Sequence, residues 1–329
     1  MPFRMVSLGD RIVVMSDNTM RAISQNTLGG PEVLAEVELP KPTPGPSELL
    51  VRVHAAGLNP TDWKHRANGG WLGEPPFVLG WDVSGVVEAV GVGVTLFKPG
   101  DEVFGMLPYP HGAGSFAEYV TAPARAFAAK PASLDHVEAA AVPLAALTAW
   151  QALVDTAGLR SGQRVLIHAA AGGVGHFAVQ IAKSLGAHVI ATASAGKHAL
   201  LRSLGADEVI DYHETDFASV VRDVDVVLDP LAGDVALRSL STLRKDGILV
   251  TILPIGQDAL IAEAARAGVR AVPMLVEADH AGMRAIAALV EKGELRPVVA
   301  ESFPLADAAK AHAVGETGRT AGKLVLVIR

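Results

Sequence analysis

Residues 168–180, HAAAGGVGHFAVQ, place Gly172 and Gly175 three apart, with Ala170 ahead of them and Gly173 and Val174 between. This is the spacing of a loop that cradles a dinucleotide's pyrophosphate. One glycine lets the backbone approach the phosphates, the next lets the following helix pack tightly on its strand, and the anion sits on that helix's free N–H groups. Ala170 stands where the first glycine of the fingerprint would be. A second run, GVGV at 91–94, has Gly91 and Gly93 but no helix pattern behind it. Leu96 follows, and Lys98-Pro99-Gly100-Asp101 is a turn, so these glycines read as a bend or bulge between strands.

An NAD site keeps an Asp or Glu about twenty residues past the first glycine to hold the ribose hydroxyls. Between His176 and Lys197 there is no acid, and the chain offers Thr192, Ser194 and Lys197 instead. A hydroxyl and an ammonium suit a 2′-phosphate, so the expected cofactor is NADPH. Lys197 starts a helix pattern, where the dipole disfavours a cation; a nearby phosphate accounts for its position. Tyr212, expected to end the third strand of this half, is assigned to the adenine side. Leu253, just past the strand GILVTI, is placed among the cofactor contacts.

Other chemistries are excluded by what is missing. The 329 residues contain no cysteine, so disulfides, thiolate catalysis and cysteine-held zinc are out. His54, His65 and His111 are isolated, while His168 and His176 bracket the phosphate loop; no metal site is expected. The net charge is -7 and basic residues do not cluster, which argues against nucleic acid or an anionic membrane as partner. No apolar run has the length of a membrane span. The N-terminal MPFRMVSLGDRIVVMSDNTM is interrupted by Gly9, Asp10 and Arg11 and makes a poor signal peptide, so the expected location is cytoplasmic.

The elements that must position these residues divide the chain in two. ELLVRVHAAGL (48–58) alternates apolar and polar positions, short strands are expected at Val83–Val90, Glu102–Met106 and Phe116–Val120, and PKPTPGPSE (40–48) reads as a stiff surface loop. From about residue 143 the period changes. LAALTAWQALVDT reads as a helix, followed by strand RVLIHA, the glycine loop and helix HFAVQIAKSL, with Phe177, Ile181 and Leu185 on one face. Strands HVIATA, EVIDY, VDVVLD, GILVTI and VRAVPMLV follow, with the helix KHALLRSL among them. Strand alternating with helix at this spacing implies a parallel, doubly wound sheet. After about residue 278 a helix is expected, then a terminal strand GKLVLVI that returns to the first half.

Taken in order, GGPEVLAEVELPKPTPGPSELLVRVHAAGLNPTD, LGWDVSGVVEAVG, PLAALTAWQAL, HAAAGGVG and GRTAGKLVLVI resemble the medium-chain dehydrogenase/reductase superfamily. The resemblance is nearest to its zinc-free, zeta-crystallin-like quinone oxidoreductase branch and covers residues 20–329. It implies a GroES-like β-barrel catalytic domain (20–143 and 279–329) with a Rossmann NADP-binding domain (144–278) inserted. The first 19 residues have no family counterpart and read as an upstream start or a disordered extension. A homodimer is implied too, by pairing of VRAVPMLV across a two-fold axis, although Pro273 removes one ladder donor.

Zinc alcohol dehydrogenases of this superfamily carry Gly-His-Glu where this chain has Gly80-Trp81-Asp82, so the resemblance implies no Lewis acid here. Hydride from NADPH then needs a ready acceptor, a quinone or an α,β-unsaturated carbonyl, whose charge hydrogen bonds can stabilise. Asn59 matches an asparagine beside the nicotinamide and substrate, and Thr148 a threonine facing the nicotinamide. A tyrosine that relatives place five residues after the asparagine is Lys64 here, a candidate for the same part. Trp71 and Trp81 are expected to line the acceptor pocket, and Asp82 to hydrogen-bond structurally. Two alternatives remain: an enoyl reductase acting in trans on carrier-bound intermediates, and an NADPH-binding sensor or structural protein with negligible turnover.

Overall fold

The computed structural model describes residues 18–253 and 255–329; residues 1–17, which hold nearly all of the expected N-terminal extension, lie outside them. The strands are β1 (Thr19–Gln25), β2 (Ala35–Pro40), β3 (Glu48–Leu58), β4 (Phe77–Val78), β5 (Asp82–Val90), β6 (Glu102–Met106), β7 (Tyr119–Pro123) and β8 (Phe127–Ala129). Then come β9 (Arg164–Ile167), β10 (His188–Thr192), β11 (Glu208–Ile210), β12 (Val224–Asp229), β13 (Leu243–Thr251), β14 (Arg270–Pro273), β15 (Val299–Pro304) and β16 (Lys323–Val327). β1 already includes Thr19, one residue ahead of the expected family-like start.

Two sheets make the first half: a three-stranded β2-β1-β4 and a larger β15-β16-β3-β5-β6-β8, with β7 joined to β3. β3 was read as alternating, yet it is buried almost throughout. It pairs with β5, β7 and β16, and the helix His136–Ala140 packs on it, so little of it meets water. The last strand returns as expected: β16 runs antiparallel to β3, setting Leu324 opposite Leu58. The bend at Gly91 closes on the turn before β3, where its N–H donates to Glu48 O at 2.8 Å and a Cβ would collide with Gly45 O. β7 starts later than expected; Ala117 makes only a single bridge, to Ala22.

The second half is a six-stranded, all-parallel sheet in the order β11-β10-β9-β12-β13-β14. Its central strand VDVVLD is buried on both faces, as a parallel strand covered by helices must be. The chain order reverses between β9 and β12, which opens a crevice at the carboxyl ends of the strands. The long helix expected at 144–156 is α-helical over Pro143–Trp150, then widens by one residue per turn over Gln151–Thr156, where Ala157 N–H reaches Ala152 O. That segment carries Gln151, whose amide donates to Glu277 O and accepts from Glu277 N–H at 2.9 and 3.1 Å. Two elements near the C-terminus were not foreseen: β15 and the helix Ala308–Glu316. Both are weakly patterned, VAESFP as an exposed edge strand and AAKAHAVGE as an alanine-rich helix.

Candidate functional site

A cleft of about 870 Å³ lies between the glycine loop after β9 and the first helix of the barrel half. On the nucleotide side, Gly172, Gly173, Val174 and Gly175 line it. The helix Gly175–Ser184 has no side-chain N-cap. Among the described residues, the N–H groups of Gly173 and Val174 meet no protein acceptor. A Cβ on Gly175 would stand 2.5 Å from Ala169 O and 2.6 Å from Ala170 Cα, so the helix can approach its strand only without a side chain there. Ala170 itself is fully buried behind the loop and does not reach the cleft. These open amides at a helix start fit a pyrophosphate.

Two histidines lock that loop. His176 Nδ1 donates to Gly172 O at 2.9 Å, and its Nε2 accepts from Val298 N–H. His168 bonds Thr192 Oγ1 at 3.0 Å and Ser239 Oγ at 2.8 Å. Burial pushes both imidazoles down to about 4, so they are neutral at physiological pH. The Thr192 hydroxyl is thus engaged inward and is not offered to a phosphate, as its sequence position had suggested. Ser194 and Lys197 flank a short turn and are partly exposed; Tyr212 lies beyond β11 rather than ending it, exposed with its ring tilted against that of His213. None of the three borders the cleft. An acid that the gap between His176 and Lys197 concealed does approach this corner: Asp211 accepts from Ala195 N–H at 3.1 Å and from His213 N–H at 2.9 Å. Leu253 borders the cleft.

The opposite wall is made of side chains. Asn59 starts the helix Pro60–Asn68, and its amide nitrogen donates to Asp82 Oδ2 at 2.8 Å while its oxygen accepts from the Lys323 ammonium. Lys323 also reaches Leu58 O at 2.7 Å and Asp82 Oδ2 at 3.3 Å; the other oxygen of Asp82 accepts from Leu144 N–H at 2.6 Å. Burial pushes the Asp82 carboxyl up and Lys323 opposes that. Each of its hydrogen-bond partners, Asn59, Lys323 and Leu144 N–H, is a donor. Asp62, also buried, accepts from Asn59 N–H at 2.6 Å, and desolvation raises it to about 8. Asp82 is therefore structural, as expected, but Lys323, at the cluster's centre and on the cleft wall, was missed. Only its place inside GKLVLVI could have signalled it: a lysine at the start of an otherwise apolar strand.

Lys64 and Trp71 line the same wall, Lys64 exposed and Trp71 about half-exposed. Thr148 borders the cleft with its hydroxyl donating to Leu144 O at 2.7 Å. Trp81 does not line the pocket. It is completely buried one layer back, just ahead of β5, packed against His65 and Tyr109. Thr61, His65 and Tyr109 stand on the wall in its place; the sequence marks neither Thr61 nor Tyr109, and His65 reads there only as an isolated histidine. Metal donors do not converge here: among the described residues no group of three or more His, Cys, Asp and Glu is placed to hold an ion. Trp81 has no ligating atom, and Asp82 is committed to Lys323. The residues do not fit a catalytic zinc.

Family models match the chain as an alcohol dehydrogenase GroES-like domain over residues 45–132 and as a zinc-binding dehydrogenase over residues 204–326. The chain is 34% identical to the chloroplast envelope quinone oxidoreductase homolog of Arabidopsis thaliana, over 95% of this chain and 99% of that protein. Among solved structures it is similar to the quinone oxidoreductase from Coxiella burnetii (38% identity, TM-score 0.89, 94% of this chain and 100% of that one). It is also similar to the Escherichia coli quinone oxidoreductase complexed with NADPH (29% identity, TM-score 0.83, 94% and 100%).

Proposed function

The chain belongs to the medium-chain dehydrogenase/reductase superfamily, in its quinone oxidoreductase branch, and from that premise we propose an NADPH-dependent, zinc-independent reductase of quinones or of the C=C bond of α,β-unsaturated carbonyls. The observation that carries the reading is a single cleft with two unlike walls. One is a glycine loop with open amides; the other offers Asn59, Lys64, Thr61 and Tyr109 but no metal donor set. An acceptor there must be activated by hydrogen bonds and charge alone, which suits conjugated oxygens and not simple alcohols.

When bound, NADPH supplies the hydride. The open N–H groups of Gly173 and Val174 would hold its pyrophosphate, and Ser194, Lys197 and Tyr212 lie on the side assigned to the 2′-phosphate and adenine. Asn59, its amide fixed between Asp82 and Lys323, and Thr148 set the floor against which nicotinamide and acceptor meet. Lys64 brings positive charge to the acceptor's oxygen, and Trp71 covers its flat face. Residues 20–143 with 279–329 form the catalytic domain and residues 144–278 the nucleotide domain. A cytoplasmic homodimer completes the reading: β14 is the free edge of its sheet, and Pro273, its last residue, leaves the preceding amides able to pair. Among the described residues no helix is long and apolar enough to cross a membrane.

The test is NADPH oxidation with 9,10-phenanthrenequinone, a 2-alkenal and an enoyl thioester. Turnover of either of the first two is expected. Turnover of the thioester alone would favour a carrier-linked enoyl reductase, and tight NADPH binding without turnover of any acceptor would refute an enzymatic role.

A further inference from the structure

Hydride addition to a quinone or enone leaves an electron pair on the acceptor's oxygen, which needs a hydrogen-bond donor and then a proton. We propose that Tyr109 is that donor, oriented by a directed chain of hydrogen bonds from His65 through Thr61. The inference rests on the reductase reading above.

The direction of the chain follows from one atom that can only accept. His65 Nδ1 lies 2.8 Å from Thr61 O, a main-chain carbonyl, so Nδ1 carries the hydrogen. The same nitrogen is 3.0 Å from Thr61 Oγ1, which therefore accepts. The threonine's own hydrogen is then left for Tyr109 Oη, 3.2 Å away. With Thr61 donating to it, the phenol has its hydrogen free, and Tyr109, Thr61 and His65 all border the cleft. Burial holds His65 below its ordinary value, which keeps it neutral with a single ring hydrogen, and desolvation raises Tyr109, which keeps the phenol protonated. The Nε2 of His65 is buried and meets no partner among the described residues, so no second proton enters the chain from behind.

The ring of Tyr109 is also fixed. Trp71 and Trp81 meet it edge-on at 5.9 and 5.3 Å, with interplanar angles of 84° and 74°. Such pairs restrict the ring and keep the hydroxyl at one place on the wall. The buried Trp81, expected in the substrate pocket, acts here as the support of the residue that is in it.

In the step itself, the reductant is the reduced nicotinamide. Its hydride forms the new C–H or O–H bond, and the electron pair it displaces comes to rest on the acceptor's oxygen. The Tyr109 O–H bond breaks as an O–H bond forms on that oxygen, giving hydroquinone or enol. The tyrosinate regains a proton from water through the open cleft.

The experiment compares wild type with Tyr109→Phe and Thr61→Val, each checked for an unchanged melting temperature. With 9,10-phenanthrenequinone, Tyr109→Phe is expected to lower kcat by about 100-fold, the range of a general acid, with little change in KM for NADPH. The solvent deuterium isotope effect on kcat should disappear with it. Thr61→Val should lose about tenfold and keep the isotope effect. Without cofactor, 4-nitrophenolate, followed by its absorbance, should bind about tenfold more weakly to Tyr109→Phe, since a hydrogen bond to a charged oxygen is lost. Retention of kcat within about threefold, or unchanged nitrophenolate binding, overturns the assignment. If wild type reduces no acceptor, the reductase reading fails instead, and the nitrophenolate titration still decides whether Tyr109 is a donor. Should Tyr109→Phe fold poorly, Thr61→Val gives the same two readouts.

Discussion

The two walls of the cleft are built by different means. The nucleotide wall is mostly backbone: the run Gly172 to Gly175, glycine except at Val174, with the amides of Gly173 and Val174 open. The barrel wall is side chains drawn from four distant segments: Asn59 to His65, Tyr109, Thr148 and Lys323. A backbone wall tolerates no added atom but needs few specific residues. A side-chain wall depends on each member holding the next, so removing one leaves others unsatisfied in a dry place.

The sharpest way to break the barrel wall is Lys323→Met. Lys323 and Asp82 are both almost wholly buried, and the substitution leaves a desolvated carboxylate facing Asn59 with no cation. Removing one partner of such a pair costs about 3–5 kcal/mol. Urea unfolding should show a loss of that size, and the double variant Lys323→Met/Asp82→Asn should recover much of it. If the single variant is as stable as wild type, the cluster does not hold the wall together.

The matching change on the other wall is Gly175→Ala. One methyl 2.5 Å from Ala169 O must push the helix off β9, an overpacking worth about 1–3 kcal/mol. Because the same shift moves the open amides, NADPH affinity should fall by at least tenfold in a fluorescence titration, while 4-nitrophenolate binding on the far wall should not change. Equal loss of both ligands would mean that the walls are not separable.

That contrast also explains what could be read in the chain. A backbone wall is spelled by neighbours, so HAAAGGVG announced it, and VDVVLD could be placed to the residue as a strand of the parallel sheet. Family likeness pointed to Asn59, Thr148 and Lys64, and all three border the cleft. Tyr109 carries no local mark and Lys323 only a faint one, a lysine opening an apolar strand, since their meaning arises only when β16 returns beside β3 and the 109 loop folds over the first helix. Trp81 was misplaced for a related reason: its sequence position marks the lost histidine, but the ring is buried against His65 and Tyr109 just ahead of β5. At the adenine corner the sequence signal was incomplete, because a gap between His176 and Lys197 says nothing of Asp211, which the fold brings to Ala195.

The walls should also fail at opposite ends of the pH scale. His168 and His176, behind the nucleotide loop, are pushed down to about 4 from 6.5. The unfolded chain binds protons that the folded one refuses, so stability rises with pH between about 4 and 6.5, by up to about 1.4 kcal/mol per pH unit for each. Asp62, beneath the barrel wall, is raised to about 8 from 3.8. Here the folded state binds the extra proton, so its contribution falls as pH rises from about 4 to about 8. Below 6.5 the two histidines outweigh the one carboxyl; above it Asp62 acts alone of the three. Denaturation at several pH values should therefore show Asp62→Asn gaining on wild type as pH climbs from 5 to 8, and His168→Gln flattening the acid limb. An Asp62→Asn profile parallel to wild type would remove the buried carboxyl from the account.

The smallest effect belongs to the corner that neither wall fully owns. Lys197 is partly exposed and makes no ion pair among the described residues, so its charge is free for a phosphate but screened by solvent. Asp211 nearby is already bound to Ala195 N–H and brings a negative charge that any 2′-phosphate must accommodate. Lys197→Ala should thus lower the preference for NADPH over NADH by about tenfold, near the lower end for a charge-assisted hydrogen bond. Asp211→Asn should move it the other way, by less. Competitive titration with the two cofactors measures both. An unchanged ratio in Lys197→Ala would take the 2′-phosphate away from this lysine and leave selectivity to Ser194 and Tyr212.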